Sequence, residues 1–244
     1  MTGPLPWLHV GALQAETAAF GRFAPRPRRP TLHLMLRSAL QSFGTLQARP
    51  PLVLPGQRVG LMGGSFNPPH EGHAICAQTA LRRLKLDQLW WIVTPGNPLK
   101  SAAGLASLDE RMTASRALVA DPAIKVTSFE AELGSPYTYA TIRYVKRRFP
   151  PVRFVWVMGA DNLATFHRWQ HWREIARLVP IAVVDRPGWH LKALASPAAR
   201  FLAGRRLPEA AAALLPGRKP PAWVLLGTRL SEASSTALRA NIIR

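Results

Sequence analysis

The 244-residue chain has a single cysteine, Cys76, only 13 acidic residues against 32 Lys and Arg, and no apolar run approaching a membrane span. One cysteine excludes an internal disulfide and any cysteine-based metal cluster, which fits a reducing compartment. The N-terminus also lacks the basic region and continuous apolar core of a secretory signal, so the expectation is a soluble, cytoplasmic protein. The shortage of acid leaves a formal charge of +19. Such a balance suits an anionic partner, either nucleic acid or a polyphosphate ligand. The basic residues are scattered along the chain, however, and most read as solvated surface. A hydrophobic content of 48% over this length is enough for one domain with a sizeable core.

Acid is scarcest at the start, where Glu16 is the only acidic residue in the first 57. Residues 22–30, from Arg22 to Pro30, alternate arginine and proline and resist regular structure. A short helix is expected over His33 to Phe43, with Leu34, Leu36, Leu40 and Phe43 as a partial apolar face. An Arg-rich, acid-poor leader also has the composition of a transit peptide. The division expected is a Pro/Arg-rich, poorly ordered extension over 1–57 and one domain over 58–244.

From residue 58 onward, apolar runs alternate with helical patterns, as a parallel α/β sheet requires. Strands are expected at 58–62, 89–93, 124–128, 152–158, 181–184 and 223–226. Helices are expected after residue 73, from the Ser107/Glu110 capping box to about Ala120, and after Thr138. A further helical stretch covers the Ala/Leu-rich residues 193–215, and a last helix is capped by Ser234, Ser235 and Thr236. The fold class is α/β, a doubly wound, Rossmann-like parallel sheet. In such sheets ligands bind beyond the carboxyl ends of the strands.

The most informative stretch is Gly63-Gly64-Ser65-Phe66-Asn67-Pro68-Pro69-His70-Glu71-Gly72-His73, between the first strand and the first helix. Two glycines allow a sharp turn and close ligand approach, and the prolines stiffen the approach to the helix. His70 and His73 are three apart, a spacing that brings side chains together on a first helical turn, where free N–H groups favour phosphate. A lone histidine is more often a cap or a packed core residue. Two of them behind this turn favour phosphate chemistry. Gly72 costs about 1 kcal/mol relative to alanine in a helix, which points to something packed closely against it. There is no Gly-x-Gly-x-x-Gly and no Gly-x-x-x-x-Gly-Lys-Ser/Thr in this stretch, so neither commoner phosphate loop applies.

Other candidates follow strands. Lys100 stands on the loop after the second strand, as a phosphate contact or a solvated charge. Asp161, directly after the strongest strand, either shapes a turn or meets a ribose or a hydrated cation. Trp169 is a core aromatic or a flat platform for a planar ring. Arg186 precedes Pro187-Gly188. Ser234, Ser235 and Thr236 cap a helix and, with Arg239 one turn on, could hold phosphate oxygens.

Taken in order, the Gly63 to His73 stretch, Ser135-Pro136-Tyr137-Thr138, Gly159-Ala160-Asp161, Trp169, Arg186-Pro187-Gly188 and Ser234 to Arg239 resemble the motifs of the nucleotidylyltransferase superfamily. Within it, they are similar to those of the bacterial nicotinate-nucleotide adenylyltransferases, over about residues 58–244. The resemblance implies adenylyl transfer from ATP to nicotinate mononucleotide, giving deamido-NAD and pyrophosphate. It implies that Gly63, Gly64, Ser65, Phe66, His70, Gly72 and His73 bind ATP, with Ser235, Thr236 and Arg239 on its phosphates. His70, His73 and Arg239 would be the catalytic groups. Lys100, Thr138, Asp161, Trp169 and Arg186 would bind nicotinate mononucleotide. Mg²⁺ would travel with ATP without direct protein ligands, reaching Asp161 through water. The family's second loop usually reads Asn-x-Pro-Pro-His-Lys, where this chain has Asn97-Pro98-Leu99-Lys100.

Three alternatives fit less of the sequence. Phosphopantetheine adenylyltransferases share the first step, but their chains are usually shorter and carry Thr where His70 stands. A class I aminoacyl-tRNA synthetase fragment would need a Lys-rich second signature. A basic nucleic-acid-binding protein would account for the charge of +19 but leaves both histidines and the glycine turn unexplained. No specific nucleic-acid partner and no membrane partner are expected.

Overall fold

The computed structural model describes residues 49–96 and 104–228. The Arg/Pro run at 22–30, the helix expected at 33–43, Lys100, and the C-terminal turn with Ser235, Thr236 and Arg239 lie outside the described residues.

Among the described residues, seven strands form one parallel sheet: β1 (Arg58–Gly64), β2 (Gln88–Val93), β3 (Ile124–Thr127), β4 (Arg153–Gly159), β5 (Ile181–Val184), β6 (Arg206–Leu207) and β7 (Trp223–Leu226), in the order β3-β2-β1-β4-β5-β7-β6. The α-helices are α1 (Glu71–Arg83), α2 (Leu108–Leu118), α3 (Thr138–Arg148), α4 (Ala160–Thr165), α5 (Trp172–Leu178), α6 (His190–Leu194) and α7 (Pro197–Phe201). This is the doubly wound α/β architecture that the sequence pattern predicts.

The inner strands β1, β2, β4, β5 and β7 read as largely apolar runs because both faces of the sheet are covered there. Alternate residues then serve alternate cores. Leu61, Trp90, Ile92, Trp156 and Ile181 face one buried cluster, while Met62, Trp91, Val93, Val157 and Ala182 face the other. Residues 49–57 approach along the same sheet. Gly56 N–H donates to Pro151 O at 3.1 Å, Arg153 N–H donates to Gln57 O at 2.8 Å, and Val53 packs against the first cluster.

Strand order reverses direction between β1 and β4, which pair from Arg58↔Arg153 to Leu61↔Trp156. A crevice therefore opens at their carboxyl ends, Gly63-Gly64 and Met158-Gly159. Two local signals position what surrounds it. α2 starts in the expected capping box: Ser107 Oγ accepts the Glu110 N–H at 3.2 Å, and Glu110 Oε2 accepts the Ser107 N–H at 2.8 Å. α3 begins at Thr138, as expected, and ends in Lys146, Arg147 and Arg148, cations that suit the negative end of its dipole.

The stretch over 193–215 is not one helix. It breaks into the end of α6, α7, two 3₁₀ segments and the two-residue β6. Pro197 fits only a helix start, and Pro208 and Pro216 cannot donate within a ladder, so the apolar composition is spread over short turns.

Removing the cap hydroxyl with Ser107→Ala should lower the unfolding free energy by about 1 kcal/mol. Denaturant titration followed by far-UV circular dichroism measures this, and an unchanged midpoint would contradict the capping role.

Candidate active site

Beyond β1 the chain turns through Gly63 to Phe66. A Cβ on Gly63 would meet Trp156 Cη2 at 2.8 Å, so the indole of β4 occupies the space a side chain would need. Phe66 has φ +46°, a left-handed conformation that a bulky residue adopts at a cost of about 1–2 kcal/mol. Burial offsets that cost: the Phe66 ring lies 4.6 Å from Trp91 and 4.9 Å from His73. Asn67 braces the turn from outside, donating Nδ2–H to Gly104 O at 2.8 Å and accepting the Ala106 N–H on Oδ1 at 3.2 Å.

His70 is the extended N-cap of α1, and His73 is the third residue of the helix. The two imidazoles meet even though only His73 lies within the helix, with ring centroids 3.7 Å apart and planes tilted by 32°. The His70 N–H donates to His73 Nδ1 at 3.2 Å. In the neutral ring this bond puts the proton on Nε2, making that atom the ring's donor. His70 is buried. Burial pushes its pKa down to about 4, helped by the nearby Arg186 charge and opposed by Asp161. At neutral pH it is therefore an uncharged imidazole beside the positive end of α1.

A cleft of about 480 Å³ opens beside this pair. Gly63, Gly64, Ser65, Phe66, His70, Gly72 and His73 line it, and so do Thr138, Asp161, Trp169 and Arg186. The structure thus gathers every sequence-predicted site residue that falls within the described stretches. Lys100, Ser235, Thr236 and Arg239 lie outside those stretches.

Asp161 Oδ2 accepts Arg186 Nη1–H at 3.1 Å, joining the ends of β4 and β5. Asp161 Oδ1 is buried without a hydrogen-bond partner. It lies 2.5 Å from where a Cβ on Gly159 would stand, so the glycine of Gly159-Ala160-Asp161 is needed for this carboxylate to fold back. Trp169 follows a 3₁₀ turn and is held edge-on by Phe166 at 5.3 Å and Trp156 at 6.2 Å. Its indole is only partly buried.

Two buried charged residues escaped the sequence reading. Glu130, on the short 3₁₀ helix Phe129–Leu133, lines the cleft and is 5% exposed. Burial raises its pKa, and hydrogen bonds with the Thr141 and Thr94 hydroxyls oppose the rise. Arg111, in α2, is 2% exposed and bonds to carbonyl groups of the Gly63–Phe66 turn and of the chain leaving β2. Neither lies in a recognisable motif. Their partners are set by tertiary packing, so local sequence carried no signal for them.

Residues 61–241 match the family described as cytidylyltransferase-like. A relative from Agrobacterium fabrum, named "Probable nicotinate-nucleotide adenylyltransferase", is 59% identical over 183 residues, covering 75% of this chain and 98% of the relative. One from Rhizobium meliloti with the same name is 57% identical over 182 residues, covering 75% and 97%. The solved structure of Plasmodium falciparum nicotinic acid mononucleotide adenylyltransferase complexed with NaAD is similar in fold. Its TM-score is 0.59 at 15% identity, over 75% of this chain and 83% of that one.

Two outcomes are expected. Between pH 6.5 and about 4 the unfolded chain takes up a proton at His70 that the folded chain refuses. Stability is therefore full above that window and falls as pH is lowered through it, by on the order of 1–3 kcal/mol from this group. His70→Gln should remove that component. Denaturant titrations at pH 7 and pH 5 check it, and identical pH dependence in both proteins would refute a neutral buried His70. At Glu130, the neutral isostere Glu130→Gln should stay within about 1 kcal/mol of wild type, while Glu130→Leu should lose about 1–3 kcal/mol by taking the carboxyl partner from the buried Thr141 hydroxyl. Equal midpoints for the two variants would contradict this.

Proposed function

The chain belongs to the nicotinate-nucleotide adenylyltransferases, within the wider cytidylyltransferase-like family, and on that premise we propose how its cleft divides the work between two substrates. The enzyme is a nucleotidyltransferase. It transfers the adenylyl group of ATP to nicotinate mononucleotide, giving nicotinate adenine dinucleotide and pyrophosphate in NAD biosynthesis.

The observation that carries the assignment of roles is the close His70–His73 pair at the start of α1, with the His73 proton on Nε2 and both residues lining the cleft. The triphosphate binds there, over Gly63, Gly64, Ser65, Phe66 and Gly72, whose backbone approach and first-turn N–H groups suit anionic oxygen. Ser235, Thr236 and Arg239 complete the phosphate contacts from the C-terminal segment. Thr138, Asp161, Trp169 and Arg186 receive nicotinate mononucleotide, and Lys100 is assigned to the same substrate.

The acceptor's phosphate oxygen attacks the α-phosphorus of ATP in line. The new P–O bond forms as the bond to the β-phosphate oxygen breaks, and pyrophosphate leaves with the electron pair. No proton has to be removed from the nucleophile, which is already an anion, so alignment and charge stabilisation are what the protein supplies. His73, and His70 as a neutral partner, donate to oxygens on which charge builds.

ATP carries a divalent cation as part of the substrate, and Mg²⁺ is the ion we assign. Among the described residues no cluster of three or more His, Cys, Asp or Glu could hold a metal. The buried, unpartnered Asp161 Oδ1 is suited to accept from a cation-bound water. No described helix is long and apolar enough to cross a membrane, and we assign the cytoplasm as the working compartment. Residues 58–244 are taken as the catalytic domain and 1–57 as an extension.

The test is pyrophosphate release from ATP and Mg²⁺ with nicotinate mononucleotide, nicotinamide mononucleotide or phosphopantetheine offered separately. Release with nicotinate mononucleotide is expected, and silence with all three would overturn the enzyme reading. In the same assay His73→Ala should remain folded and lose ~10²–10³ in turnover. Near wild-type turnover would remove His73 from the mechanism.

A further inference from the structure

Arg111 makes an unusual set of bonds for a buried cation. Its Nε–H donates to Ala106 O at 2.9 Å, Nη1 donates to Ser65 O and to Thr94 O, each at 2.7 Å, and Nη2 reaches Pro95 O at 3.4 Å. Four bonds nearly exhaust the five donors of a guanidinium. All the acceptors are backbone carbonyls, and among the described residues no carboxylate pairs with it. Burial holds its pKa below the ordinary arginine range, yet the group stays ionised. Holding a desolvated cation with dipoles alone is costly, so its position calls for a reason beyond packing.

The acceptors supply one. Ser65 belongs to the turn after β1, Thr94 and Pro95 leave the end of β2, and Ala106 precedes α2. Ser65, Phe66, Thr94 and Gly96 all line the cleft. The Ser65 carbonyl and the Phe66 N–H are opposite ends of one planar peptide. Fixing the carbonyl therefore fixes the amide, on the flank of the residue that carries the left-handed φ.

We propose that Arg111 is a positioning residue for adenylyl transfer, a four-point clamp that holds the Ser65–Phe66 turn and the Thr94–Pro95 stretch at one separation. The two parts of the cleft then keep the register in which the acceptor oxygen faces the α-phosphorus. This rests on the adenylyltransferase reading of the cleft. Lysine retains the charge, but its compact ammonium cannot span four carbonyl oxygens, so the role is specific to a guanidinium.

The experiment compares wild type, Arg111→Lys and Arg111→Ala in steady-state kinetics with ATP and nicotinate mononucleotide, well below each variant's melting transition. Misplacement of reacting groups by about 1 Å lowers turnover on the order of 10²-fold. That fall in kcat is expected for Arg111→Lys, with KM for each substrate shifted by no more than roughly threefold because no substrate contact is removed. Added guanidinium, kept below denaturing concentration, should restore part of the lost kcat to Arg111→Ala and none to Arg111→Lys. If the alanine variant does not fold, the lysine variant decides alone. An Arg111→Lys enzyme with kcat within about twofold of wild type overturns the proposal, as does one that fails to fold at any temperature. Wild type that releases no pyrophosphate overturns the functional reading and the clamp together. Active wild type beside an unimpaired lysine variant overturns only the clamp.

Discussion

A parallel sheet buried on both faces has no lateral surface on which to do chemistry. In this chain Leu61, Trp90 and Trp156 fill one side and Met62, Trp91 and Val157 the other, so polar groups must collect where the strands end. The reversal of strand order between β1 and β4 parts the connections there. The glycine turn, the histidine pair, the Asp161–Arg186 pair and the Thr138 helix start all issue from that one margin. Each depends on sheet register, because sliding a strand by one residue would turn its side chains to the opposite face.

Electrostatics in the cleft is correspondingly indirect. A polyanion attracts free cations, yet in this cleft Arg186 leans on Asp161, Arg111 is spent on carbonyl groups, and His70 is kept neutral by burial. Among the described residues Arg168 also lines the cleft, and the other groups near the histidine pair are dipolar: helix N–H groups, an imidazole N–H and turn amides. Preformed dipoles need little reorganisation as charge moves from the α-phosphate toward the leaving group, which is the condition under which they lower a barrier most. A cluster of bare cations would grip ATP and pyrophosphate with similar strength and slow the release of product.

The sequence made some of this legible and hid the rest for identifiable reasons. Five of the strands, β1, β2, β4, β5 and β7, are largely apolar runs whose ends fall near the expected positions, and β3 is a short run broken by Lys125. The two-residue β6, Arg206–Leu207, is too short to leave a pattern. The Ser107–Glu110 box announced α2 because both reciprocal bonds are local. The continuous helical stretch over 193–215 was misread because composition outweighed the prolines that break it. At the site, the Gly63 to His73 stretch was readable since its turn and helix start are made by neighbours in sequence. Asp161 and Arg186 lie 25 residues apart and face each other; their places after strands and their likeness to motifs of a known family singled each out, but nothing local announced that they pair. Glu130 and Arg111 could not be found at all: a buried charge next to apolar residues looks like a surface charge until tertiary packing shows what it touches.

The edge-to-face contact of Trp169 with Trp156 has an optical consequence. Of the eight tryptophans in the chain, Trp90, Trp91 and Trp223 are sealed in the core away from the cleft, whereas Trp156 and Trp169 line it. Trp169 borders the cleft with part of its ring uncovered. Indole emission responds to the polarity and stacking of its immediate surroundings, so a planar heterocycle arriving beside this ring reports its own presence. The protein carries an intrinsic fluorophore on the wall of its cleft, read against the buried indoles of Trp90, Trp91 and Trp223.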